Sequence, residues 1–94
     1  PALQFQASAQ LGRLFIQRGH LERGVEWLQR ACLARAPVRD HGLAVQYDLA
    51  DALERAGRHD QALAAWSDLE FDAGEYRDVS ERLARLTSRR GPAR

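Results

Sequence analysis

The sequence has no lysine, no asparagine, no methionine and a single cysteine, Cys32, among its 94 residues. One thiol cannot pair within the chain, so an internal disulfide framework is excluded. A chain of this length can still bury enough surface for one core without disulfide or metal. No apolar run approaches the roughly 18 residues of a membrane span, and no charged-then-apolar leader opens the chain. β-branched residues are sparse, and no segment alternates as a strand does. Arginine supplies all 14 basic residues and alanine occurs 16 times, a pairing that reads as GC-rich coding bias. The start at Pro1 and the lack of methionine suggest a piece of something longer. We expect a cytoplasmic protein, with the periplasm left open for the same reason.

What is present is helix-forming. Alanine, leucine, arginine, glutamate and glutamine dominate, and apolar residues recur at i, i+3, i+4 and i+7, which predicts an all-α chain of five helices. The first, about 3–18, carries Leu3, Ala7, Leu11, Leu14 and Phe15 on one stripe, expected to face the core, and stops at Gly19. The second, about 21–36, carries Leu21, Val25, Leu28, Ala31 and Cys32, with Pro37 closing it. Asp40 is suited to cap the third, about 41–56, which carries Leu49, Leu53 and Ala56 and ends at Gly57. The fourth, about 59–71, sets Ala62, Leu63, Trp66 and Leu69 on one face, and the fifth, about 76–89, shows Tyr76, Val79, Leu83 and Leu86. Connections of a few residues force neighbours to run antiparallel.

Sliding the chain against itself reveals an internal repeat. At an offset of 38, Leu11, Gly12, Phe15, Gly19, Leu21, Gly24, Val25 and Leu28 fall on Leu49, Ala50, Leu53, Gly57, His59, Ala62, Leu63 and Trp66. A further offset of 34 carries Leu49 and Ala50 onto Leu83 and Ala84. Small residues in this pattern let helix backbones approach, large ones fill the groove, and the glycines make the reversals.

Leu11-Gly12, Phe15, Gly19, Gly24, Leu28 and Ala31, with Leu49-Ala50, Leu53, Gly57, Ala62 and Trp66, resemble the tetratricopeptide repeat (TPR), and the stretch Tyr76-Arg77-Asp78-Val79 is similar to the closing helix of bacterial members. Four extra residues separate the units, about one helical turn, which preserves their facing. The resemblance implies antiparallel helical hairpins stacked as a short right-handed solenoid. One domain would span 1–90, with repeat 1 at about 5–37, repeat 2 at about 42–73, a capping helix at about 76–89 and a disordered tail at 91–94. It further implies a non-catalytic scaffold that binds a peptide or partner protein on its concave face. Arg13, Gln17, Tyr47, Asp51, Glu54 and Arg85 would make the contacts, with Tyr47 the leading one. The family's carboxylate clamp uses lysine and asparagine, so recognition of chaperone tails is not expected here.

No chemistry competes with that reading. His20, His41 and His59 lack metal-ligand spacing, and no serine has a nucleophile-elbow context. Cys32 lies at a helical core spacing, so we expect no enzyme activity, no metal and no cofactor. Charge is segregated along the chain. Residues 1–39 hold six arginines against Glu22 and Glu26, residues 40–81 eleven acids against three arginines, and residues 82–94 five arginines and no acid, giving +4, −8 and +5. The main expectation is pairing between neighbouring hairpins; the alternative is an acidic recognition patch on the middle one. The acidic centre argues against nucleic acid as a partner, and nothing points to a membrane.

The first helix carries a second apolar stripe, Phe5, Ala9, Gly12 and Ile16, which no neighbour in this chain is expected to cover. Phe5 and Ile16 are therefore candidates for self-association through the N-terminal helix. The alternative function is a structural or self-associating segment of a longer repeat protein, with no separate ligand.

Overall fold

A computed structural model describes residues 2–90 of the chain. Its regular structure is helical: α1 (Ala2–Gln17), α2 (Leu21–Leu33), α3 (Arg39–Arg55), α4 (His59–Ala73) and α5 (Val79–Arg90). The expected tail at 91–94 lies outside the described residues. Each helix packs chiefly on the next along the chain, and α1 also reaches α3. The result is elongated, 47 × 28 × 17 Å.

Within the first hairpin the helices run antiparallel at close range. Gly12 of α1 lies against Leu28, while Gly24 of α2 lies against Ile16 and the Gly12 carbonyl. A Cβ at Gly12 would stand 2.7 Å from Leu28 Cγ, and one at Gly24 would stand 3.0 Å from the Gly12 oxygen, so a larger residue at either place would push the helices apart. Both hairpin turns are built alike. His20 N–H donates to Phe15 O and Gly19 N–H to Ile16 O, with Gly19 at φ +86°. Arg58 N–H donates to Leu53 O and Gly57 N–H to Glu54 O, with Gly57 at φ +82°. Each satisfies the last carbonyls of its helix through a left-handed glycine. The residues that open α2 and α4, His20 and Arg58, share nearly the same backbone angles, φ −92° with ψ 72° and φ −89° with ψ 71°. The 38-residue relation is thus repeated in backbone conformation.

The core is formed by Val25, Leu28 and Ala31 of α2, Leu43, Val45, Ala50 and Leu53 of α3, Trp66 and Leu69 of α4, and Val79 and Leu86 of α5. From α1 it takes Phe5 and Ala9, only 4% and 3% exposed, whereas Leu3, Leu11 and Leu14 are 79%, 36% and 42% exposed. This reverses the expectation for α1: the stripe assigned to the core faces outward, and the stripe assigned to the surface is buried. The helix has two apolar sides, and the side with Gly12 wins because there α2 approaches closely and α3 also reaches it. Three boundaries also differ. Leu33 ends α2, three residues short of the expected end, because Ala34 is extended at ψ 149°. Val38 takes the first-cap position of α3, leaving Asp40 in the first turn, where its charge still favours the helix dipole. The last helix begins at Val79, since Arg77 takes φ +47° and ends the turn that carries Tyr76.

Candidate interaction face

Along the seam between α1 and α3 runs a cleft of about 300 Å³ lined by Arg13, Ile16, Gln17, Leu28, Asp48, Asp51 and Arg55. A second, of about 300 Å³, is lined by Phe5, Gln6, Ala9, Gln10, Arg13, His41 and Ala44 and shares Arg13 with the first. Arg13 Nε donates to Asp48 Oδ2 at 2.7 Å, linking the two helices where the clefts meet. The partners remain 44% and 33% exposed, so the contact is weak and exchangeable with solvent or with another charged group. The face therefore offers an apolar floor between partly exposed charges of both signs. Three of the expected contacts, Arg13, Gln17 and Asp51, come together here, with Ile16 forming part of the floor.

The other expected contacts do not. Tyr47 and Glu54 sit at the junction of α3, α4 and α5, where Arg82 holds them. The Arg82 Nη2 group donates to Asp51 Oδ1 at 2.5 Å and to Glu54 Oε1 at 3.2 Å. Its guanidinium lies 4.6 Å from the Trp66 ring and 5.9 Å from that of Tyr47, and its Nη1 donates to the Tyr47 hydroxyl at 3.2 Å. Tyr47 in turn donates to Asp78 Oδ1 at 2.5 Å, and the Trp66 indole donates to Glu54 Oε1 at 3.1 Å. Arg77 closes the cluster, 4.8 Å from the Tyr47 ring and 5.0 Å from that of Tyr76. Asp51 faces both ways, since Arg55 in the cleft lies 3.6 Å from its other oxygen. Arg85 is exposed on α5 and lines neither cleft. Phe5 is in the core and is therefore not a free association surface.

Ionisation follows this geometry. Burial works against the charged form of Arg82, but the bond to Asp51 and the Glu54 charge outweigh it and hold the guanidinium protonated. Asp78 is held below the ordinary carboxylate value by the Tyr47 hydrogen bond, against some burial and with help from the Arg82 charge. Tyr47 is pushed above the ordinary phenol value by burial, by its bond to Asp78 and by that carboxylate's charge. The Arg82 Nη atoms are paired on every side, although its buried Nε–H has no partner, so Asp51, Glu54 and Tyr47 chiefly lock α5 onto α3. Arg82 was readable as part of this lock: three residues after Val79 and four before Leu86, it sits on the buried stripe of its helix. Counting it with the basic C-terminal residues hid that spacing.

Cys32 is exposed and forms no part of the core; its thiol rests against the α3/α4 seam, where partial burial pushes its pKa up to about 11. Among the described residues no group of three or more His, Cys, Asp or Glu side chains could hold a metal ion, and no helix is long and apolar enough to cross a membrane.

Two further grooves lie on the outer side. One, about 500 Å³, is lined by Gln4, Ala7, Ser8, Leu11, Trp27, Arg30, Leu33 and Ala34 of α1, α2 and the residue that follows. The other, about 320 Å³, is lined by Gln46, Leu49, Ala65, Asp68, Phe71 and Asp72 of α3 and α4, together with Cys32. Compared with known proteins, the chain matches no family model, no curated protein and no solved structure.

Proposed function

We propose that the chain is a TPR-like protein–protein interaction module, non-catalytic, that holds a peptide or partner segment along the α1/α3 face. The cleft that gathers Arg13, Gln17 and Asp51 around Ile16 and Leu28 carries this reading, because it joins an apolar floor to exchangeable charges of both signs. The repetition of turn geometry at Gly19 and Gly57 supports the stacked-hairpin architecture on which such a face depends. In this reading the binding residues are Arg13, Gln17, Asp48 and Arg55, with Asp51 shared, while Tyr47 and Glu54 maintain the wall.

Selection of a displayed random-peptide library on the chain tests it. Enriched peptides should bind the parent and lose at least about tenfold in affinity on Arg13→Glu, the loss expected when one charge contact turns repulsive. Peptides that bind Arg13→Glu and Gln17→Glu as well as the parent would move the site off this face.

A further inference from the structure

The two outer grooves are the same groove in successive units. Ser8, Leu11, Trp27, Arg30, Leu33 and Ala34 of the first correspond, at the 38-residue offset, to Gln46, Leu49, Ala65, Asp68, Phe71 and Asp72 of the second. They adjoin, because Leu33 lines one and its neighbour Cys32 the other. Their charges are opposite: Arg30 stands where the second unit has Asp68, and Asp72 replaces Ala34. Arg30 stacks over Trp27 at 4.4 Å; neither the Asp68 nor the Asp72 carboxylate has an ion-pair partner among the described residues, and at the rim Arg39 Nη2 donates to the Asp72 carbonyl oxygen at 2.8 Å. Each groove also carries a large apolar side chain in water, Leu33 at 89% and Phe71 at 90% exposure. Apolar groups this exposed, in adjoining grooves rimmed by charge, mark an association surface.

We propose that the occupant is a second copy of this chain, with the basic groove of each copy set against the acidic groove of the other about a two-fold axis near Cys32 and Leu33. Charge complementarity selects this arrangement. Pairing like grooves would oppose Arg30 to Arg30 and Asp68 to Asp68, whereas the two-fold crossed pairing makes one favourable contact twice. Phe71 of each copy then enters the larger groove beside Trp27 of the other, and Asp68 meets Arg30. The surface is separate from the α1/α3 face and includes neither Phe5 nor Ile16, so it stands or falls independently of the peptide-binding reading.

Charge reversal with complementation tests it by sedimentation equilibrium on the 94-residue chain. The parent should show a concentration-dependent dimer. Arg30→Asp alone and Asp68→Arg alone should each weaken dimerisation by at least about tenfold, as like charges become opposed. An equimolar mixture of the two variants should recover a dimer containing one of each. Circular dichroism keeps the variants comparable, and Phe71→Ser, which leaves every charge in place, should also give monomer. Arg13→Glu should leave the dimer intact. A parent that is monomeric up to its solubility limit overturns the proposal. So do a dimer indifferent to Arg30→Asp and Asp68→Arg, and variants whose mixture stays monomeric.

Discussion

Two arginines reach acids of α3 from opposite sides, and their surroundings differ. Arg13 meets Asp48 in the open α1/α3 cleft, where the pair is 44% and 33% exposed. Arg82 meets Asp51 and Glu54 at the α5 junction with only 13% of its side chain in water and an indole ring against its face. The residue types are the same and the contact distances similar. What separates them is desolvation: an exposed pair contributes little and can be traded for a ligand's charge, whereas a covered one leaves an unpaired group when broken. One helix thus carries an exposed, exchangeable pair on one side, where we propose the binding wall, and a structural lock on the other.

The contrast can be broken most severely at Arg82. Arg82→Met should cost about 2–4 kcal/mol, because Glu54 is left partly buried without its cation and Asp51 keeps only Arg55, 3.6 Å away. Urea unfolding followed by circular dichroism would show it, with α5 detaching first. Gly24→Ala should cost about 1–3 kcal/mol by forcing Ile16 and the Gly12 carbonyl away, on the overpacking scale. The same variant would report whether α1 is held as tightly as the lock. Tyr47→Phe should cost about 1 kcal/mol, the net worth of the hydrogen bond to Asp78. It should also abolish a phenol that ionises above the ordinary value, visible as a missing late step in ultraviolet titration.

The pH dependence of that bond has two limbs. Asp78 has a depressed folded value, so its contribution is complete at neutral pH and is lost as pH falls through that value. Tyr47 has a raised folded value, so its contribution is complete below the ordinary phenol value and is lost as pH rises through the raised one. Tyr47→Phe should flatten both limbs of a stability profile. The smallest effect belongs to Arg13→Met, which should change stability by less than about 1 kcal/mol. A larger loss would place Arg13 in the structural class with Arg82.

The helices and the hairpin turns were legible because glycines and apolar spacing act locally. Gly19 and Gly57 announce their left-handed turns wherever the helices go, and the 38-residue match survives into backbone angles and paired grooves. The orientation of α1 was not legible in the same way. Both of its stripes are apolar, and the choice between them depends on which side α2 can approach, a property of the Gly12–Leu28 and Gly24–Ile16 contacts. Two expected site residues, Tyr47 and Glu54, stand outside the α1/α3 cleft, engaged by partners 31 and 28 residues away at Asp78 and Arg82. No local pattern names a partner at that distance. The apolar-stripe spacing of Arg82 was the available sign that it points inward.

The proposed division of α3 into a binding wall and a lock has a direct reporter in the Trp66 indole, whose N–H donates to Glu54 beside Arg82. With ¹⁵N-labelled chain and a peptide selected on it, amide shifts should concentrate at Arg13, Gln17, Asp48 and Arg55. The Trp66 indole resonance should stay in place. A ligand that moves the Trp66 indole and the Tyr47 amide while leaving Arg13 and Gln17 unshifted would contradict the account.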